Sequence, residues 1–369
     1  MIYLDYAAST PVPKEVMNKM IPLFCKNFGN PSSSHHQGQS VAVEVEKARQ
    51  IIADKIGAYP SEIVFTSGAS ESNNLAIKGL AHAKKNEGRH IITSSIEHKC
   101  ILSICHHLEN EGFDVTYLPP DSDGVISVDK VSSVIREDTI LVSISHVNNE
   151  LGTIQPIPEI GALCFDKGIP LHTDAAQSFC KLDIDVDDMN IDLLSISAHK
   201  CYGPKGIGAL YIRDLRETKI TPVIHGAGQE LGLRGGTLAS PLIAGMGEAI
   251  SRSAQYIDQD HILSVRKAFT EKLSQYCSFT VNGGNITIPN ILNITIKDLD
   301  LQSLRDDPGL AISQGSACSS MNVEISHVLQ AIGLSFEEGE KTLRISFGFG
   351  YDEGKATKAA ELLINHLTN

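Results

Sequence analysis

The chain has 369 residues, enough for more than one core, and 42% of them are hydrophobic, an ordinary fraction for a globular protein. A formal net charge of −13 argues against a groove for nucleic-acid phosphates, which bind through basic charge. No apolar run approaches the length of a membrane span, and the start MIYLDYAAST lacks the basic-then-apolar pattern of a signal peptide, so a cytoplasmic protein is expected.

From residue 60 to 215, short apolar β-rich runs alternate with helical patterns. EIVFTS leads into a helix over 69–85 and HIITSS into one over 99–110; FDVTYL, TILVSISHV, GIPLHTD, DLLSIS and GIGALYI continue the series. This alternation predicts an α/β fold, a mostly parallel seven-stranded sheet flanked by helices. A long helical pattern over 242–276 leads out of it. FTVNG, NILNITI, the segment 309–320, a helix near 325–332, TLRISFG and a terminal helix then read as a smaller α+β domain. The expected division is 15–249 for the large domain, with 1–14 and 250–369 forming the small one.

Some chemistry falls away early. The eight cysteines, at 25, 100, 105, 164, 180, 201, 277 and 318, show no C-x-x-C pair, so nothing calls for a structural zinc or a disulfide framework. His35-His36 and His106-His107 lack acidic or thiol partners at ligand spacing, and no metal site is expected. The run Gly226–Gly232 has the wrong final spacing for a dinucleotide fingerprint, and no P-loop occurs.

Polar residues gather just after the strand ends: Ser67-Gly68-Ala69-Ser70, Glu97-His98, Asn148-Asn149, Asp174 and Lys200. Ligands of open parallel sheets bind at that carboxyl edge. Asp174 stands in HTDAAQ and Lys200 in SISAHK, each where an apolar run turns polar. An amine able to form a Schiff base, facing an acid able to pair with a pyridinium nitrogen, is how proteins hold pyridoxal phosphate. Gly68 permits a tight turn, and the helix start after it, with the Ser70 hydroxyl, suits either a phosphate or a plain N-cap. Ser197 and His199 are further phosphate donors, or strand-end residues satisfied by their neighbours. Gln177 suits the ring's phenolic oxygen or solvent. His98 suits ring stacking and proton transfer, or a structural role. Asn149 is a candidate contact to a substrate carboxylate or to the ring.

Together these segments resemble the fold-type I pyridoxal phosphate enzymes, in the class V aminotransferase-like group that contains cysteine desulfurases. The resemblance runs along essentially the whole chain, through IYLDYAASTP, FGNPSSSHHQG, EIVFTSGASESNNLAIKG, ILVSISHVNNELGTIQPI, LHTDAAQ, SAHKCYGPKGIGALYIR and HGAGQELGLRGGT. The segment Ser313–Ser320, SQGSACSS, is similar to the persulfide-forming loop of the subgroup that serves iron–sulfur assembly and related sulfur transfer.

The resemblance implies roles position by position. Lys200 matches the Schiff-base lysine, Asp174 the pyridinium partner, Gln177 the phenolic-oxygen contact and His98 the ring-stacking acid/base. Ala69, Ser70, Ser197 and His199 match phosphate contacts, with Ser70 standing where relatives often have Thr. Asn149 matches a cofactor or substrate contact, and Arg344 the arginine that forks onto the substrate carboxylate. Thr237 resembles a residue that reaches the neighbouring subunit's phosphate, which implies a homodimer. Cys318, among small residues, matches the thiol that attacks the substrate sulfur and keeps it as a persulfide while L-cysteine becomes alanine.

The resemblance also implies a sulfur-acceptor protein: an iron–sulfur scaffold, a tRNA-thiolating protein or a DNA-phosphorothioation system. Direct contact with nucleic acid or a membrane is not expected. Phe349 departs from relatives that carry a second arginine there, and the sequence closes soon after it without the longer tail of housekeeping members; both leave the acceptor open. The alternatives are a selenocysteine lyase or other lyase on the same scaffold, and a catalytically silent sulfur-carrier subunit.

Overall fold

The computed structural model describes residues 1–314, 316–319 and 322–368, with side chains for 1–314 and 325–368. Its large sheet is built from β1 (Ile63–Thr66), β2 (His90–Ser94), β3 (Asp114–Leu118), β4 (Thr139–Ser143), β5 (Leu171–Asp174), β6 (Leu193–Ser197) and β7 (Gly208–Ile212). The strand order is β1-β7-β6-β5-β4-β2-β3. β7 runs antiparallel to both neighbours and every other pair is parallel.

The strands are apolar on both faces because both are covered. Successive residues go to opposite layers: Ile92, Val142 and Leu194 join one core, and Ile91, Leu141 and Leu193 the other. The second layer includes helix Lys99–Asn110, which buries Ile101, Ile104, Cys105 and Leu108 at helical spacing. Shortening a fully buried side chain such as Leu194 to Ala should cost about 2–5 kcal/mol.

A separate core gathers Leu4, Phe269, Leu292, Ile294, Leu343, Ile345, Phe347 and Leu363. Its sheet has the order β10-β11-β9-β8, from β8 (Thr280–Asn282), β9 (Ile291–Thr295), β10 (Ser313–Gln314) and β11 (Thr342–Ser346). The chain start reaches this unit: Ile2–Tyr3 pairs with Leu310–Ala311, and Asp5 bridges to Ser346.

Some expectations need correction. The helical pattern over 242–276 is not one helix but Ser240–Ser251, Ser253–Tyr256 and Gln259–Ser274. The chain leaves helical geometry at Ile257, and the Asp258 side chain caps a fresh helix by accepting the His261 N–H at 3.0 Å. The helix expected near 325–332 spans only His327–Ala331, because Ile325 still belongs to the strand Asn322–Ile325, paired with Ser316–Ser319. The helix after β1 starts at Ala69 as expected but carries a π turn over Asn74–Lys78. Such turns insert an extra residue and are frequent at functional sites.

Candidate active site

The carboxyl ends of β1, β2, β4, β5 and β6 converge on a cleft of about 520 Å³ that Arg344 of β11 also lines. Asp174 ends β5 and is only 8% exposed. Its Oδ2 accepts from Asn73 Nδ2 at 2.8 Å and its Oδ1 from the Ala176 N–H at 2.8 Å. A buried carboxylate needs such donors, and these hold it facing the cleft.

Lys200 follows β6 on the short turn Ala198–Lys200. Burial, and after it the Arg344 charge, lowers its ammonium to about 8; Asp5 and Asp174 oppose that shift. Its Nζ donates to the carbonyls of Ala7 and Ala8 in the amino-terminal strap. A lysine with a lowered value is a better nucleophile near neutral pH than an exposed one.

Ala69 and Ser70 open the helix after β1 and line the cleft beside Ser197 and His199. First-turn N–H groups have no intrahelical partner, which suits an anion. Gly68 sits at φ 146°, where a side chain would be strained, and a Cβ on Gly208 would lie 2.7 Å from the Gly68 Cα and 2.4 Å from the Ile196 carbonyl oxygen. The two glycines therefore let the helix start sit directly against the end of β6. Glu71 fixes the same turn, accepting from the Ser67 N–H at 2.7 Å and from Arg234 Nε at 2.9 Å. Burial, then Lys200, Lys205 and Lys181, pushes His199 down to about 4, so it is neutral near pH 7.

His98 caps helix Lys99–Asn110, its Nδ1 accepting the Cys100 N–H at 3.2 Å. Burial lowers its value while Asp174 opposes the shift. The neutral ring consequently carries its proton on Nε2. Gln177 donates to the Ala7 carbonyl at 2.8 Å and accepts from Lys181 at 3.1 Å. Asn149 lines the cleft, and its carbonyl accepts from Arg344 Nη1 at 3.0 Å.

Two expected residues stand apart. Thr237 is exposed and does not line the cleft of its own chain. The Cys318 side chain lies outside the described residues; its backbone pairs with that of Val323. Phe349 sits against the rings of Tyr256 (5.1 Å) and Tyr202 (6.3 Å), and its N–H donates to the Tyr202 oxygen at 2.6 Å.

Sequence reasoning missed Asn73, Lys181, Cys100 and Asp5. Asn73 is one helical turn beyond Ser70 and Lys181 one turn beyond Gln177, so spacing carries a faint signal for both. Burial, then the Lys200 charge, pushes Lys181 down to about 8. Cys100 lines the cleft, and burial followed by Asp174 raises its thiol to about 11, well away from a reactive thiolate.

A model of the aminotransferase class-V family matches residues 2–354. Cysteine desulfurase IscS of Vibrio atlanticus (strain LGP32) is 48% identical over 357 residues, covering 94% of this chain and 88% of its own. The chain belongs to the class-V aminotransferase family, among its cysteine desulfurases. The solved structure of SspA in complex with cysteine matches this desulfurase with a TM-score of 0.87 and 53% identity over 94% of this chain and 99% of that one. DndA from Streptomyces lividans matches with a TM-score of 0.79 and 39% identity over 95% and 100% of the two chains.

The cofactor of this desulfurase is pyridoxal phosphate. The donor set fits it: an amine with a lowered proton affinity, a carboxylate held by two donors, a neutral histidine and a helix start line one cleft. No helix among the described residues is long and apolar enough to cross a membrane.

Proposed function

We propose that this desulfurase converts L-cysteine to L-alanine, moves the sulfur onto its own Cys318, and passes it to an acceptor protein. In this reading residues 15–249 supply the cofactor site, while 1–14 and 250–369 bring the substrate arginine and the sulfur-accepting cysteine. When bound, pyridoxal phosphate supplies an aldehyde that ties up the substrate amine and an electron-poor ring that stores an electron pair.

Each residue then has one task. Lys200 would anchor the cofactor and move protons at the substrate carbon. Asp174 holds a proton on the pyridine nitrogen, and Gln177 donates to the phenolic oxygen. His98 packs on the ring with Nε2–H available as an acid. Ala69, Ser70, Ser197 and His199 bind the phosphate, and Asn149 contacts cofactor or substrate. Arg344 binds the substrate carboxylate. The Cys318 thiolate attacks the substrate sulfur: an S–S bond forms, and the Cβ–S bond breaks with its pair left on the substrate. Protonation at Cβ then yields alanine, so cysteine and one enzyme thiol become alanine and one enzyme persulfide.

The main support is the convergence of Lys200, Asp174 and Arg344 on one cleft, with the lysine ammonium lowered to about 8. Thr237, exposed and away from its own cleft, suits a contact to a second subunit's phosphate in a homodimer. The test is mass spectrometry of the Cys318 peptide after mixing with L-cysteine, alongside alanine release. Gain of one sulfur, absent in Cys318→Ala, is expected. Alanine formation at an undiminished rate in Cys318→Ala overturns the scheme.

A further inference from the structure

Arg344 is held by more than its neighbours on β11. Its Nη2 donates to Asp5 Oδ1 at 2.7 Å and to Ser313 Oγ at 3.0 Å, and Ser313 Oγ in turn donates to the same Asp5 oxygen at 2.9 Å. Nη1 is fixed on the Asn149 carbonyl, while Nε is buried without a partner among the described residues. The Arg344 side chain is 14% exposed and Asp5 21%. Arg344 lines the cleft and Asp5 does not. A carboxylate placed there touches the guanidinium without occupying the substrate's room. Asp5 is itself fixed, bridged to Ser346 through its backbone and bound at its carbonyl by the Tyr3 hydroxyl at 3.0 Å.

We propose that Asp5 is a positioning residue for the substrate carboxylate: it grips the Arg344 guanidinium from outside the cleft and so presents it beside Lys200. The inference rests on Arg344 binding that carboxylate, as proposed above. An arginine with rotatable carbons loses affinity when its fork is not pre-set, because binding must then freeze the side chain. Asp5 has a second effect through charge. Arg344 lowers the Lys200 ammonium and Asp5 raises it, so the acid offsets part of the guanidinium's influence on the reacting amine. The arriving substrate carboxylate adds a second negative charge on the other side of the same guanidinium.

The experiment compares Asp5→Ala, Asp5→Asn and Arg344→Ala by steady-state kinetics with L-cysteine. It adds the pH midpoint of the holoenzyme's visible absorption, which follows the proton on the Lys200 nitrogen without turnover. Arg344→Ala should raise KM; if it does not, the carboxylate reading of Arg344 fails and this inference with it. Given that rise, Asp5→Ala should raise KM at least about tenfold with kcat within about threefold, as expected for losing a charge-assisted hydrogen bond that orients the arginine. Asp5→Asn keeps an acceptor oxygen and should return KM to within about threefold, while its absorption midpoint moves down because the charge is gone. A wild-type KM in Asp5→Ala overturns the inference while leaving Arg344's role intact. Should Asp5→Ala fail to fold, the near-isosteric Asp5→Leu, which offers the Arg344 guanidinium no acceptor, takes its place, and a wild-type KM there overturns the proposal.

Discussion

Removing the Glu230 carboxylate should destabilise the sheet edge that carries the Ser67–Ser70 turn lining the cleft. Glu230 and Arg49 form a two-pronged pair, Oε1 to Nη2 at 2.8 Å and Oε2 to Nη1 at 2.9 Å, with side chains only 3% and 11% exposed. The same carboxylate accepts the Phe65 N–H of β1 at 2.6 Å, and Arg49 donates to the Ile63 carbonyl and lies 4.6 Å from the Phe65 ring centre. Glu230 and Leu231 hold positive φ values of 48° and 55°, a conformation that costs free energy unless its surroundings enforce it. Glu230→Ala adds no backbone strain, since both residues carry a Cβ, but it leaves a buried guanidinium whose remaining carboxylate, Glu46, is 63% exposed. Such exposed pairs contribute about 0–1 kcal/mol, whereas breaking a buried pair costs about 3–5 kcal/mol. For a domain of this class that is a drop in melting temperature of roughly 6–20 °C. Scanning calorimetry of the holoenzyme measures it, with Arg49→Met/Glu230→Leu as the control. The double variant should recover at least half of the loss, because it removes the stranded charge and deprives only two neutral backbone groups, the Phe65 N–H and the Ile63 carbonyl, of these partners. A shift under about 2 °C in the single variant, or no recovery in the double, refutes the reasoning.

Other expectations follow from the same geometry. The Lys200 ammonium lies at about 8 against 10.5 for a free lysine, so the neutral amine grows as pH rises through 8. Stopped-flow uptake of pyridoxal phosphate by cofactor-free protein should therefore accelerate about tenfold between pH 7 and 9; a profile still rising steeply at pH 10 would contradict that value. Burial raises the Glu97 carboxyl to about 7 from 4.5, against the pull of the Ser145 N–H and the Ser94 hydroxyl. Its folded value exceeds its unfolded one, so the stability it contributes is lost as pH rises from about 4.5 through 7. Glu97→Gln should flatten that decline in urea-denaturation midpoints, and an unchanged slope would show that another group is responsible. Asn73→Ala deletes the 2.8 Å donor to Asp174 and should weaken pyridoxal phosphate binding by about 3- to 10-fold in an absorbance titration. Equal affinity would mean that Asn73 only fills space.

What the sequence determined by itself was local and periodic. Strands apolar on both faces demand cover on both sides, and polar residues at their carboxyl ends mark where a ligand sits; Lys200, Asp174, His98 and Ser70 were legible for that reason. Tertiary structure decided whatever depends on segments distant in sequence or on competition between caps. The break of the 242–276 pattern required Asp258 to begin a new helix rather than continue the old one. Asn73 became the support of Asp174 only when the helix after β1 packed against the end of β5, 101 positions away. Asp5 reached Arg344 across 339 positions because the chain start bridges to β11. No spacing rule encodes such a meeting, since it is fixed by which surfaces can be buried together and not by the order of residues.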